Sequence, residues 1–88
     1  MNVAYKRRFL KELNKVPDPI KQKVQVIVFD QIPHIEEIRN IAGLKKIKGF
    51  PNYYRLRIGE YRIGLFVDKD RIVFCRILHR KDIYKYFP

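Results

Sequence analysis

The sequence predicts an α+β fold in which two antiparallel N-terminal helices pack on one face of a small, mainly antiparallel, twisted sheet. Apolar and polar residues alternate through residues 53–80, with turn-forming residues at two points, which is typical of successive strands. Residues 6–29 place their apolar side chains at helical spacing instead. A chain of 88 residues has room for one small domain, which we expect to span residues 1–88.

The N-terminal residues 2–5 predict a short strand, and a helical pattern begins at Lys6. Phe9, Leu10 and Leu13 lie on one side of this first helix, and Pro17 ends it. The basic residues surround the rest of its circumference. The segment is therefore an amphipathic helix with an apolar side suited to cover a sheet.

A second helix is predicted to start at Asp18 and Pro19, as N-cap and first helical residue, and to end at Pro33. Residues 24–29, VQVIVF, are rich in β-branched side chains and would also suit a strand. The start signals favour the helix, because a pair of antiparallel helices is an economical cover for the apolar face of the sheet.

Residues 34–48 form a mixed stretch, with a short helical turn predicted at residues 36–40 and a lysine-bearing loop before the sheet. Gly43, Gly49 and Pro51 interrupt any regular pattern. The lysines of this loop are Lys45, Lys46 and Lys48. They either contact phosphates or belong to a solvated loop.

The hairpin at Gly59 and Glu60 sets the register of the first two main strands, because glycine suits the first central position of a two-residue turn. Counting outward places Ile58 opposite Tyr61 and Arg57 opposite Arg62. Like charges directly across a strand pair cost something within ~0.2–1 kcal/mol unless an anion lies between them. The pair therefore indicates either a phosphate site, with Arg55 on the same face, or a merely solvated surface.

The third main strand follows the turn formers at residues 68–70. If all three form the loop, Val67 pairs with Arg71 and Arg76 lies beside Arg62. Both faces of this strand are apolar, so periodicity does not decide which one meets the helices. Cys75 is expected to be a small core residue, and the residues after the strand predict a short terminal helix or turn.

The charge of the chain indicates a polyanionic partner. Twenty Lys and Arg residues against nine Asp and Glu residues give a net charge of +11, for which nucleic acid is the leading partner and an acidic protein is compatible. The longest apolar run, residues 26–29, predicts no signal peptide and no membrane span, and hence a cytoplasmic protein. No Cys, His or carboxylate spacing suits a metal, so neither metal nor cofactor is expected.

Three residues at the end of the predicted sheet, His79, Arg80 and Tyr84, suit metal-independent RNA cleavage. Such a reaction needs a base for the ribose 2′-hydroxyl, cations for the phosphate and an acid for the leaving 5′-oxygen. Histidine titrates at about 6.5 and suits the acid–base role, whereas arginine suits phosphate binding. The alternative is that His79 and Tyr84 are structural or surface residues.

The segments 48–51 (KGFP), 54–62 (YRLRIGEYR) and 79–84 (HRKDIY) together resemble the RelE/ParE superfamily of toxins from toxin–antitoxin systems, most closely the RelE-type mRNA interferases. The resemblance covers nearly the whole chain. It implies two helices on an antiparallel sheet, ribosome-dependent cleavage of mRNA that inhibits translation, and inhibition by an acidic antitoxin.

The resemblance also implies roles for individual residues. It assigns catalysis to Arg62, Arg80 and Tyr84, and to His79 by analogy with members that have a histidine near the carboxyl terminus, and it assigns RNA binding to Arg55 and Arg57. Charge and register, independently of the resemblance, make Lys45, Lys46, Lys48 and Arg76 further candidates for RNA or phosphate binding. Two other functions of the fold stay open. ParE-like members inhibit DNA gyrase, and a degenerate member would bind antitoxin or RNA without cutting it.

Overall fold

A five-stranded sheet forms the centre of the computed structural model, which describes all residues from 1 to 88. The strands lie in the order β1-β5-β4-β3-β2, with bounds β1 Asn2–Tyr5, β2 Leu44–Lys46, β3 Tyr53–Ile58, β4 Tyr61–Asp68 and β5 Arg71–His79. β1 pairs with β5 in parallel, whereas the other neighbouring strands are antiparallel. The predicted α+β class and N-terminal strand are confirmed, and the sheet is mixed.

The N-terminal helices are α1 (Arg7–Asn14) and α2 (Ile20–Gln25). The chain continues from α2 into a π-helical turn, Val26–Gln31, and a 3-10 turn, Ile32–His34. The β-branched segment 24–29 is therefore helical, as the start signals indicated. The predicted cap is wrong, because the residue preceding α2 is Pro19 and no side chain caps the helix. A further 3-10 turn, Ile38–Asn40, lies within the predicted stretch 36–40.

The main core lies between these helices and one face of the sheet. Phe9 of α1 and Val24 of α2 are fully buried in the same cluster as Leu56, Ile63 and Leu65. Burial of each such side chain contributes roughly 1.5–3 kcal/mol relative to exposure. The apolar face predicted from the hairpin is thus the core face. The antiparallel arrangement of the two helices stays a prediction.

A smaller core lies on the opposite face of the sheet, beneath the C-terminal helix α3 (Ile83–Tyr86). Cys75, Ile83 and Phe87 are its buried members. The absence of a side chain at Gly64 leaves room for the Phe87 ring, because a Cβ on Gly64 would lie 2.6 Å from two carbons of that ring. The C-terminal segment therefore packs directly against the backbone of β4.

The register between β4 and β5 differs from the prediction. The turn contains two residues, Lys69 and Asp70, and Lys69 adopts a left-handed backbone with φ of 55°. Val67 consequently pairs with Ile72 and not with Arg71. A β-bulge follows, and it changes the alternation of side chains farther along β5.

The bulge decides which side chains of β5 face the main core. Leu65 pairs with Phe74 but Gly64 pairs with Arg76, so Cys75 is the extra residue of the bulge. Ile77 then pairs with Ile63 on the core face, and Leu78 pairs with Arg62 on the opposite face. Both faces of β5 are apolar because each face covers its own core.

The segment carrying Lys45 and Lys46 is an edge strand and not a loop. These residues pair with Arg55 and Tyr54 of β3, which places successive lysines on opposite faces of the sheet. The other lysine of the segment, Lys48, lies beyond the end of β2. No helix in the chain has the length and apolar character needed to cross a lipid bilayer.

Candidate nucleic-acid interface

Three arginines of the central hairpin share the sheet face opposite the main core. Arg57 pairs directly with Arg62, as predicted, and Arg55 pairs with Gly64 on the same side. Arg80, just after β5, and Tyr84 of α3 complete the group. We call these five residues, Arg55, Arg57, Arg62, Arg80 and Tyr84, the arginine face.

The electrostatics of Arg62 show that the members of the arginine face lie close together. Burial lowers the pKa of the Arg62 guanidinium, and the charges of Arg57, Arg55 and Arg80 lower it further, whereas Tyr84 acts in the opposite direction. Neighbouring cations disfavour the charged form of this group. An anion bound among them would relieve that repulsion, which makes the face a candidate phosphate site.

The hairpin turn holds the Arg62 side chain in place. Its Nη1 donates hydrogen bonds to the carbonyl oxygens of Gly59 at 2.9 Å and Tyr61 at 3.1 Å. A guanidinium has five N–H donors, so most of its N–H groups remain for a ligand. The guanidinium is therefore held in position without a ligand, which would reduce the conformational entropy lost on binding one.

Glu60 positions Arg80 from the same turn. The Arg80 backbone N–H donates to the Glu60 carbonyl oxygen at 2.8 Å, and Arg80 Nε lies 3.3 Å from Glu60 Oε2. Both side chains are more than half exposed, so this ion pair is weak and a phosphate can displace it. The sequence placed Glu60 in the hairpin turn, and its contact with Arg80 is an additional role.

Tyr84 presents an aromatic ring to solvent at the rim of the arginine face. Its side chain is 59% exposed, whereas the preceding residue, Ile83, is fully buried against the sheet. The buried neighbour anchors α3 and leaves the tyrosine ring available for stacking.

The structure does not bring His79 to the arginine face. His79 pairs with Tyr61, on the side of the main core, and their rings meet edge to face at 5.6 Å. Its Nδ1 accepts a hydrogen bond from the Lys81 backbone N–H at 3.2 Å. Strand alternation is the reason, since the neighbouring Leu78 is the residue opposite Arg62. Counting three residues from Arg76 would have revealed this, because an odd step changes face.

The structure gives Arg76 a contact with Glu12, and phosphate binding by this residue stays a prediction. The Glu12 carboxylate accepts three hydrogen bonds from this side chain, at 2.7 to 3.1 Å, and a fourth from the Ile77 backbone N–H at 3.1 Å. The hydrogen bonds to Glu12 raise the pKa of Arg76. Arg76 Nη1 also donates to the Tyr86 carbonyl oxygen at 3.3 Å. Arg76 therefore joins α1, β5 and α3.

The three predicted lysines separate in the structure. Lys45 pairs with Arg55 and belongs beside the arginine face, whereas Lys46 points to the opposite side of the sheet with Tyr54. Lys46 and Lys48 line an open cavity of about 370 Å³ together with the exposed ring of Phe50. Only Lys45 therefore extends the arginine face along the sheet.

The geometry supports binding and charge stabilisation at the arginine face. Arginine side chains suit a phosphate group because the planar guanidinium forms paired hydrogen bonds with its oxygens. No three His, Cys, Asp or Glu side chains in the chain lie close enough together to hold a metal ion. The chemistry that the side chains of this face can supply is a set of fixed positive charges and an aromatic ring.

Comparison with known proteins identifies the family. A family model described as the ParE toxin of type II toxin–antitoxin systems matches residues 3–84. Toxin RelE3 of Methanocaldococcus jannaschii is 43% identical over 89 residues, which cover the full length of both chains. The chain belongs to the RelE/ParE superfamily. It is a RelE-like toxin of a type II toxin–antitoxin system, as its motifs indicated.

Solved structures show the same fold as this toxin. The RelB–RelE antitoxin–toxin complex from Methanococcus jannaschii contains a chain of 41% identity, with a TM-score of 0.82, covering 97% of the toxin and 99% of that chain. The RelBE2 complex from Mycobacterium tuberculosis shares the fold at 23% identity, with a TM-score of 0.70, covering 90% of the toxin and 96% of that chain.

Proposed function

We propose that the toxin is a metal-independent, ribosome-dependent endoribonuclease that cleaves mRNA in the cytoplasm and thereby inhibits translation. The observation that carries this proposal is the arginine face, where Arg57 and Arg62 lie directly across a strand pair with Arg80 and Tyr84 beside them. The similarity to the M. jannaschii RelE toxin supports it. A surface of fixed guanidinium groups is suited to the charge that develops on a phosphate during cleavage.

In the proposed mechanism the arginines bind and stabilise the phosphate. Arg57 and Arg62 bind the oxygens of the scissile phosphate and stabilise the charge that accumulates there as the ribose 2′-oxygen attacks, with its proton passing to water. The bond between phosphorus and the 5′-oxygen breaks, and the leaving 5′-oxygen takes a proton from water. Arg80 exchanges its weak contact with Glu60 for a phosphate oxygen. Tyr84 stacks on an unpaired base and holds the strand in line.

The arginine face contains no histidine or carboxylate side chain, and this supports dependence on the ribosome. Arginine is a poor general base because its guanidinium stays protonated at neutral pH, and His79 lies on the other side of the sheet. Alignment of the attacking hydroxyl must then supply a large part of the rate, and correct alignment is worth roughly 7–11 kcal/mol in favourable cases. The ribosome provides that alignment by holding the mRNA.

The test is to map mRNA ends on ribosomes after brief expression of the toxin and its variants. Loss of one fixed charge at the phosphate is expected to lower cleavage by about 10²–10³-fold in Arg62→Ala. Arg39→Ala is the matched control, because Arg39 is an exposed arginine that pairs with Glu37 away from the arginine face. Thermal unfolding of both variants should stay close to that of the wild type.

Three results would contradict the proposal. Unchanged cleavage in Arg62→Ala would remove the arginine face from the reaction. Inhibition of DNA supercoiling by gyrase with intact mRNA would assign the chain the alternative ParE-like activity, and absence of both effects would identify a binding protein.

We also propose that an acidic antitoxin binds and inhibits the toxin. The support is the net charge of +11 together with the occurrence of similar chains in RelB–RelE complexes. If a small acidic protein is encoded beside the toxin gene, its coexpression is expected to restore growth and to yield a complex on purification. A toxin that stays active with every such neighbour would refute this proposal.

A further inference from the structure

A second group of cations lies along α1, away from the arginine face. Arg7, Lys11 and Lys15 follow one another at intervals of four residues, and Arg8 lies beside them; all four are exposed. They line an open cavity of about 660 Å³ whose wall also contains Glu12, Arg76 and Tyr86. We call this cavity the α1 groove.

The charges of the α1 groove are unfavourable for the helix that carries them. Like charges four residues apart destabilise a helix by ~0.2–0.5 kcal/mol per pair. Arg7 and Arg8 occupy the first turn, which contains no acidic residue, and the helix dipole disfavours cations at that end. A bound anion would offset this repulsion.

No carboxylate in the groove neutralises these four side chains. The single acidic residue of the wall, Glu12, accepts its hydrogen bonds from Arg76 and from the Ile77 backbone. Salt bridges elsewhere in the chain involve Arg39, Arg80 and Lys85 but none of the four groove cations. The groove is therefore a concave surface of uncompensated positive charge.

The groove and the arginine face meet at α3. Tyr84 belongs to the arginine face and Tyr86 to the groove, and the two residues lie in the same helical turn. The Tyr86 ring is 60% exposed, with the Arg76 guanidinium 5.7 Å from its centre. Two exposed aromatic rings are therefore carried by one short helix, and the cations beside Tyr86 are spaced by about 6 Å, the rise of four helical residues.

We propose that the α1 groove binds the phosphate backbone of an RNA strand that also occupies the arginine face. This inference rests on the proposed function, and it extends the RNA path to a second site in which Arg7, Lys11 and Lys15 contact successive phosphates. Phosphate contacts of this kind position a strand without reading its bases. The groove then contributes to affinity and register, and the arginine face performs cleavage.

The composition of the groove favours RNA over an acidic protein segment. Its lining has one hydrophobic residue, Tyr86, so it lacks the apolar pockets on which protein interfaces depend. Exposed ion pairs with an acidic peptide would contribute ~0–1 kcal/mol each. Release of counterions from RNA instead gives a large, salt-dependent affinity for the same cations.

The test measures binding of the full chain to a single-stranded RNA with 2′-O-methyl groups, which lacks the attacking hydroxyl, by fluorescence anisotropy over a range of salt concentrations. The variant combines Arg7→Ala, Lys11→Ala and Lys15→Ala. Removal of three phosphate contacts is expected to reduce the slope of log K against log[salt] by about 2. The variant should unfold at the same or a higher temperature, since it relieves repulsion in α1.

The matched control combines Arg39→Ala, Lys69→Gly and Arg71→Ala, which removes the same charge from exposed positions outside the groove. Glycine suits the left-handed backbone of residue 69. The control is expected to retain the wild-type slope. Equal slopes for the two variants would overturn the proposal, because net charge alone would then explain binding.

Polyglutamate serves as the acidic-protein probe in the same assay. The groove variant is expected to weaken RNA binding more than polyglutamate binding, and the reverse result would overturn the proposal. Failure of the proposed nuclease function is distinguishable from these outcomes. If the wild-type toxin leaves mRNA intact but its slope differs from that of the groove variant as expected, cleavage is refuted and RNA binding by the α1 groove is supported.

Discussion

Replacement of Gly64 by alanine tests how the C-terminal segment holds Tyr84 at the arginine face. The added Cβ would lie 2.6 Å from the ring of Phe87, which is 6% exposed in the smaller core. Phe87 therefore has to shift, and α3 moves with it, because the Phe87 N–H donates to the Ile83 carbonyl oxygen at 2.9 Å. Both stability and cleavage are expected to fall.

The magnitude follows from the two ways in which the protein can accommodate the methyl group. Compression of a packed core by one extra carbon costs about 1–3 kcal/mol. Release of Phe87 from its site would cost about 3–5 kcal/mol, so compression with a shifted α3 is the cheaper response. At roughly 4–8 °C per kcal/mol for a domain of this size, thermal unfolding should occur at least about 4 °C lower.

The assay combines thermal unfolding with cleavage of mRNA on ribosomes for Gly64→Ala, Phe87→Leu and the double variant. The smaller leucine side chain leaves room for the new methyl group, so the double variant should be more stable than the sum of the single effects, by roughly 0.5–3 kcal/mol of coupling. Cleavage should recover in parallel. Strict additivity, or a Gly64→Ala protein with wild-type stability and cleavage, would refute the packing argument.

Three further predictions concern single side chains. Arg76→Ala should cost about 3 kcal/mol because it leaves the mostly buried Glu12 carboxylate without its partner; denaturant unfolding measures this loss, and unchanged stability would contradict it. Burial and the charge of Asp30 raise the pKa of the Tyr5 hydroxyl, which donates to the Val28 carbonyl oxygen at 2.6 Å. The stabilisation from neutral Tyr5 should be complete below pH ~10 and be lost as pH rises through its higher folded-state pKa, and Tyr5→Phe should weaken this loss in alkaline unfolding. His79→Ala should retain cleavage on ribosomes. A fall in cleavage of about 10²-fold with an intact fold would contradict this and assign His79 a part in the reaction.

The hairpin could be predicted from the sequence because its information is local. Glycine in the turn sets the pairing of Arg57 with Arg62, and the alternation of apolar residues sets the face that meets the helices. The arginine face followed from this register. Its members Arg80 and Tyr84 lie beyond the last strand, where alternation does not place them, and they were predicted from the chemistry that RNA cleavage requires and from the family resemblance.

The register of β5 could not be predicted, because its determinants are weak in the sequence. Lysine is an uncommon residue for the left-handed conformation that Lys69 adopts, so the shorter turn had no clear signal. The bulge at Cys75 lies within an apolar run, where an extra residue does not interrupt any visible pattern.

The contact between Arg76 and Glu12 could not be predicted from the sequence either. Glu12 lies 64 residues away in the chain, and only the folded protein brings the two side chains together. Contacts between side chains of distant elements produce no periodic pattern in the sequence. The sequence therefore identified Arg76 as a basic residue of the last strand but did not predict its contact with Glu12, which connects α1 with the end of the sheet.

The hydrogen bond between Glu12 and the Ile77 backbone has a consequence for solubility. β1 pairs with residues 71–74 of β5, so the outer edge of β5 beyond Phe74 has no neighbouring strand. An uncovered strand edge is a template for pairing with a second molecule. Glu12 occupies the Ile77 N–H at 3.1 Å, and its charge and its helix lie across that edge. One carboxylate thereby protects a strongly basic chain against self-association through its own sheet.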